Sequence, residues 1–450
     1  MTWIHRYRLR RYLRSSVWMA PFVGMVTGFL FHHIIWALDK ATGWTWLGLS
    51  QEGARAIVGV IASAMLTFMV FTFSSLLLVV QIASAQLTPR IIALALEDRI
   101  LNRALGAFVF TFIYAVGVLG RVGDVVWQLH VLMAIVACVV SIVVFLQLVD
   151  HMGKSLRPVS VVQKVAAQAL EIIASIYPQP LSDSGPAPVD QARLRTRPPA
   201  RTIHHRDSSG VLLALYGPGL VESARRNQCL IRLAPQVGDF VTQGEPLFNI
   251  YDGGAGLDED ELLACVAFGP ERTVQQDPAF ALRIIVDIAL RALSPAINDP
   301  TTAVVALDQI HRLLRSAGQR DLGDGTLRDA AGAVRFMFPT PNWEDFVRLA
   351  MSEIRLCGAG NIQVVRRLRA MIENLLAILP AARHPCLVEQ LDLLDHTVKR
   401  SFADPRDRAY AGMSDYQGVG SPRGDHVTGG SAGQEGTVAR PPPPPSSGEL

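Results

Sequence analysis

The chain has 450 residues, enough for about three domains of ordinary size; half are hydrophobic, 18% are Asp, Glu, Lys or Arg, and the formal net charge is +3. The positive charge is slight and is not gathered into a patch with interleaved aromatics, which excludes a strong nucleic-acid binder. Only 17 of the 81 charged residues fall in the first 150 positions, which excludes a purely soluble protein. Four windows there carry no charge at all: Val17–Leu38, Ala56–Pro89, Ala104–Gly120 and Val125–Val149, of 22, 34, 17 and 25 residues. A helix needs roughly 17–25 apolar residues to cross a bilayer core. The windows predict a transmembrane domain over 1–154 with four spans, near 17–38, 56–85, 104–122 and 125–149.

Orientation follows from basic residues, which are retained on the cytoplasmic side. Five Arg before the first span, Arg90, Arg99 and Arg103 after the second, and Lys154, Arg157 and Lys164 after the fourth make eleven on one side. Lys40, Arg55 and Arg121 make three on the other. Both termini are therefore expected in the cytoplasm. The first run is too long for a signal-peptide core and no small-x-small site follows it, so it reads as a retained anchor.

The second span is longer than the membrane is thick and should run on beyond the headgroups. Ser63, Thr67, Val70, Ser74, Leu77, Gln81, Ser84 and Thr88 follow a 3-4 spacing along it, which puts them on one helix face. Two readings stand. In one, Ser63, Thr67, Ser74, Gln81 and Ser84 line a water-filled path built from several copies. In the other, small hydroxyl residues let helices pack closely. Ala20, Gly24 and Gly28 form a small-residue ridge on the first span, whose partner is either in the same chain or in another copy. His32 and His33 suit either pH sensing or plain solvation near the outer interface, where Trp36, Trp44 and Trp46 form an aromatic belt. No span has a charged residue at its centre, so no proton relay is visible.

A connecting helix is predicted over 155–177, with apolar residues at helical spacing up to Pro178. A Pro-, Ser- and Arg-rich linker follows over 178–209. Short apolar runs between Gly, Pro and Asp predict a β-rich cytoplasmic subdomain over 210–268, with one helix near 219–228. Within it, "VGDFVTQGEPLFNI" is similar to the hammerhead turn of biotinyl and lipoyl domains. No Lys occurs between Lys164 and Lys399, so the likeness concerns the fold alone and no cofactor is expected. Cysteines at 138, 229, 265, 357 and 386 are too scattered for disulfides or a zinc motif and read as buried thiols.

A helical cytoplasmic subdomain is predicted over 269–402, giving an α+β region overall beside the membrane α-helices. Its densest polar segment is "ERTVQQDPAFALRIIVDIALRALSPAINDPTT", residues 271–302. Asp277-Pro278 and Asp299-Pro300 each open a helical run as N-cap and first helical residue. Arg283, Asp287 and Arg291 stand one turn apart and read as an intrahelical charge row. Ser294, Asn298, Thr301 and Thr302 crowd the start of the second helix, where free N–H groups favour an anion that Arg272 or Arg291 would complete. Further helices are predicted at 300–317, 324–336, 343–357, 361–379 and 384–401, the third capped by Asn342, and a disordered Gly-, Ser- and Pro-rich tail over 403–450.

The stretch "RTVQQDPAFALRIIVDIALRALSPAINDPTTA" resembles the signature of a family of predicted bacterial membrane proteins classed as domain of unknown function 2254. So do the four N-terminal spans and the phrase "QIASAQLTPR". The likeness spans about 10–400 and implies a multi-pass protein of the bacterial inner membrane, but it supplies no activity and no catalytic residues.

Among function classes, an enzyme finds no support: there is no HExxH, no phosphate loop with its lysine, no nucleophile elbow and no His/Cys cluster at ligand spacing, so neither a catalytic residue nor a metal site is expected. The leading expectation is a homo-oligomeric ion or small-solute channel gated by its cytoplasmic domain. The alternative is a non-conducting membrane-anchored sensor or scaffold that binds a small ligand, an anion or a partner through that domain.

Overall fold

The computed structural model describes residues 3–16, 18–43, 48–82, 98–122, 127–155, 157–181, 197–322 and 325–419. Among these residues six helices come first: α1 Trp3–Ser15, α2 Met19–Thr42, α3 Gln51–Ile82, α4 Arg99–Leu119, α5 Gln128–Ser155 and α6 Pro158–Ile176. Helices α2 to α5 bundle around a core that includes Val58, Met65, Leu105, Phe108, Tyr114 and Leu148. Their outer faces expose Phe22, Leu30, Val60, Leu78, Val139 and Leu146. A bundle apolar inside and outside suits a lipid solvent rather than water.

The small-residue ridge of α2 packs inside the chain. A Cβ added at Gly24 would sit 2.2 Å from the carbonyl oxygen of Gly106 on α4, and one at Gly28 would sit 2.7 Å from that of Phe110. The two backbones touch along this line. Polar ends are tied as well: the Arg55 guanidinium donates to the Val122 carbonyl at 3.0 Å.

Among the described residues five helices, not four, are long and apolar enough to cross a membrane: Met19–Thr42, Gln51–Ile82, Ile100–Leu119, Gln128–Lys154 and Pro158–Ile176. The fifth is α6, expected as a connecting helix. Its buried face, Val162, Val165, Ala166, Ala169 and Ile173, belongs to the core of the C-terminal region.

The described residues of that region form eight strands: β1 Arg201–His204, β2 Gly210–Leu215, β3 Leu230–Leu233, β4 Phe240–Val241, β5 Pro246–Tyr251, β6 Val266–Gly269, β7 Thr326–Arg328 and β8 Val334–Met337. They form a five-stranded sheet in the order β1-β5-β3-β8-β7 and a three-stranded sheet in the order β4-β2-β6. All pairings are antiparallel except β3 with β8. Two helices accompany them, α7 Gly217–Arg226 and the short α8 Glu259–Leu263. Leu212, Leu220, Ile231, Leu247, Phe248 and Phe336 fill the core.

Four expectations are corrected here. Residues 324–336 do not form a helix: Asp329 and Gly332, the latter at φ 81°, turn the chain back so that β7 and β8 pair. Phe336 and Met337 are both buried where β8 pairs with β3, Phe336 opposite Ile231. The linker is not free of structure, since β1 pairs with β5 through Arg201–His204. The C-terminal tail does not begin at 403: Asp404 caps α14, Pro405–Ala411, and Tyr410 receives the Arg366 guanidinium over its ring at 4.2 Å. Cys357 is exposed rather than buried, and Cys138 is partly so.

The remaining helices are α9 Pro278–Ala292, α10 Pro300–Gly318, α11 Trp343–Cys357, α12 Ile362–Ile378 and α13 His384–Ser401. Helix α9 lies at the centre, burying ten of its 15 residues, including Phe280, Ile284, Ile285 and Ile288. Around it pack α6, α10 and α11.

Candidate functional sites

On α3, the polar stripe lies on the outside. The buried face of this helix is Ala54, Val58, Ile61, Met65, Thr72 and Leu76. Ser63, Thr67, Val70, Ser74, Leu77 and Gln81 are exposed, while Ser84 and Thr88 fall outside the described residues. The stripe thus does not pack against the other spans of its own chain. Thr67 partly satisfies itself by donating to the Ser63 carbonyl at 3.1 Å.

The polar segment at 272–302 is divided between two helix starts. Asp277 caps α9, accepting from the Phe280 N–H at 2.8 Å, and its other oxygen receives the Arg272 guanidinium at 2.8 and 3.0 Å. The Asp277 side chain is only 3% exposed. Gly238, at φ 98° in the turn that resembles a hammerhead, seats on this pair: a Cβ there would be 2.2 Å from the Arg272 guanidinium and 2.5 Å from the Asp277 carboxylate. The pair therefore joins the β subdomain to the start of the central helix. Burial raises the Asp277 carboxyl above the ordinary aspartate value, with Arg272 and the Phe280 N–H acting against it.

Asp299 caps α10 in the same manner, accepting from the Thr302 N–H at 3.1 Å and from its hydroxyl. The chain's own carboxylate thus occupies the helix start where an anion was expected. Ser294 donates to the Arg291 carbonyl at 2.7 Å, and exposed Asn298 takes a left-handed turn at φ 47°. Thr301 is exposed. Asp287 pairs with Arg283 at 2.7 Å, and Arg283 reaches on to Glu353 of α11, so the charge row extends between helices. Arg272 and Arg291 lie before the start and in the last turn of α9, separated by its 15 residues, roughly 22 Å of helix. They do not meet at one site.

Sequence reading missed a buried polar cluster in the membrane bundle. His32 of α2 and His130 of α5 are 4% and 2% exposed, with His130 Nε2 3.2 Å from His32 Nδ1. The Asp39 carboxylate accepts from the His130 backbone N–H at 3.0 Å, and the Tyr114 hydroxyl donates to the His130 carbonyl at 3.1 Å. Gly117 gives the ring its room, since a Cβ there would be 2.9 Å from His32 Nδ1. Of the sequence pair, His33 is the exposed member and His32 the buried one. Ninety-eight residues separate the two partners, so no local pattern could have announced them. Among the described residues no group of three or more His, Cys, Asp or Glu could hold a metal ion.

His311 of α10 sits in the helical core, its Nε2 2.8 Å from the Asn374 side-chain oxygen and its Nδ1 3.2 Å from the Arg367 guanidinium. Burial, and then the Arg367 charge, holds this imidazole below the ordinary histidine value. A lowered folded value means that the stability this group contributes is present above the unfolded value and is lost as pH falls through the folded one. Acidification from about pH 7 to about pH 5 should lower the melting temperature, and His311→Gln should flatten that fall in thermal scans.

Uncharacterized proteins of Mycobacterium bovis and of two Mycobacterium tuberculosis strains are each 29% identical over 440 residues, covering 90% of this chain and 83% of theirs. No solved structure matches the chain. The profile of the family described as "Predicted membrane protein (DUF2254)" matches residues 14–374, and the chain belongs to that family.

Proposed function

We propose that the protein is a four-span channel subunit of the bacterial inner membrane, with α1 and the C-terminal region in the cytoplasm. Several copies would bring their α3 faces together around a path for ions or small solutes. The observation that carries this reading is the exposure of Ser63, Thr67, Ser74 and Gln81 on the outside of the bundle. Lipid tails offer no hydrogen bonds to an amide or hydroxyl. A second copy or a water-filled axis does.

The four-span topology draws support from α1. Trp3 stacks on Tyr216, next to β2, with centroids 5.5 Å apart and planes 19° apart. This contact supports a reading in which α1 and the C-terminal region share one side of the membrane, which needs an even number of crossings between them. Helices α2, α3, α4 and α5 supply four, leaving α6 to the cytoplasmic core. The eleven-to-three distribution of basic residues assigns that side to the cytoplasm.

Purified protein in liposomes is expected to pass ions or small solutes under voltage, tension or a gradient, with flux falling at least severalfold in Ser74→Leu and Gln81→Leu. Oligomers without flux under all three stimuli would overturn conduction and transfer the function to the cytoplasmic region as sensor or scaffold.

A further inference from the structure

A groove of about 580 Å³ runs between α2 and α4, from Ser16, Asn102 and Arg103 at one end to Thr27 and Phe110 at the other. Ligand sites commonly measure about 300–1,000 Å³. Its floor is where the backbones touch at Gly24 and Gly106, which keeps side chains out of its middle. On α4, the helix from Asn102 to Phe110 rises roughly 12 Å, most of one leaflet of a bilayer core of about 30 Å. The groove therefore accommodates most of one lipid acyl chain in one leaflet.

Its walls are apolar along that length. Thr27 turns its hydroxyl back to the Val23 carbonyl at 2.7 Å and presents its methyl side. The end at residues 16, 102 and 103 differs. Ser16 is 9% exposed, yet its hydroxyl has no hydrogen-bond partner, and neither does the buried side-chain oxygen of Asn102. Arg103 is exposed beside them. Unmade hydrogen bonds at buried polar atoms cost about 1–3 kcal/mol each, so this end calls for a ligand that both accepts and donates.

We infer that the groove binds an anionic phospholipid with a hydroxyl-bearing head group, of the phosphatidylglycerol type. The phosphodiester would accept from Ser16 and pair with Arg103, a head-group hydroxyl would donate to Asn102, and an acyl chain would lie along Ala20, Gly24 and Ala107. A choline head group meets the phosphate but has no hydroxyl for Asn102. Arg103 belongs to the side with eleven basic residues, so the lipid comes from the cytoplasmic leaflet. This inference is independent of conduction.

The test uses the full chain in detergent, stripped of lipid and then titrated with phosphatidylglycerol or phosphatidylcholine, with retention read by native mass spectrometry and by thermal shift. Phosphatidylglycerol should be retained several times better, and Arg103→Gln should reduce that preference about fivefold, the factor equivalent to about 1 kcal/mol per basic residue at the membrane surface. Ser16→Ala should melt no lower than wild type without lipid, because it removes a buried group with no partner, and should gain less from phosphatidylglycerol. Inorganic phosphate alone should shift neither protein. Equal retention of the two lipids, or a preference unchanged in both variants, would overturn the assignment.

Discussion

Replacing Arg272 by glutamine is expected to destabilise the protein by about 3 kcal/mol at neutral pH, the cost of stranding a buried carboxylate whose partner is removed. The remaining group, Asp277, has a side chain only 3% exposed and would keep just the Phe280 N–H among the contacts described above. The loss should be pH-dependent. Burial already raises the Asp277 carboxyl above its ordinary value, and loss of the guanidinium raises it further. A carboxyl with a raised folded value holds its proton more tightly folded than unfolded, so its penalty is full above that value and diminishes as pH falls through it. Thermal unfolding of wild type and Arg272→Gln across pH should show the gap narrowing on acidification. Asp277→Asn keeps the cap and removes the charge, and should cost less than Arg272→Gln. Equal costs at every pH would mean that the pair is not held as described.

Gly24→Val should disrupt the membrane bundle to a comparable extent. The added Cβ would meet the Gly106 carbonyl oxygen at 2.2 Å, a distance that only separation of α2 from α4 can relieve. Overpacking of this kind costs about 1–3 kcal/mol, occasionally more. Gly59 on α3 is the control, since a Cβ there meets nothing within 4 Å, and Gly59→Ala should be neutral or slightly stabilising in a helix. Thermal stability in detergent, followed by size-exclusion chromatography, separates the two. A Gly24→Val protein as stable as Gly59→Ala would contradict the close approach of α2 and α4.

How much of this was legible in the sequence depended on whether the signal was local. Uncharged windows found four of the five described helices long and apolar enough to cross a membrane, because transfer to lipid acts on composition alone; the fifth, Pro158–Ile176, carries charge and was read as a connecting helix. Asp277 and Asp299 were legible as caps because an N-cap followed by proline is a rule of adjacent residues, and both aspartates accept from the N–H three residues on. The hairpin at 326–337 was misread because "TLRDAAGAVRFM" alternates too briefly to outweigh its alanines, and its strands are stabilised by pairing with β3, about a hundred residues earlier. The same holds for β1, which needs β5 to become a strand. The His32–His130 contact has no local trace. The α2 ridge was legible as a packing face, but its partner on α4 was not. For the stripe on α3, periodicity gave the face, and only the bundle shows that the face points outward.

That outward face is the centre of the functional account, and disulfide cross-linking in native membranes tests it most directly. Cysteine placed at Ser74 should oxidise to a link between two copies, identified by mass spectrometry as a 74–74 peptide, while cysteine at exposed Leu146 on α5 should not. Cross-linking at 146 with none at 74 would show α3 facing lipid and contradict an assembly built on its polar face.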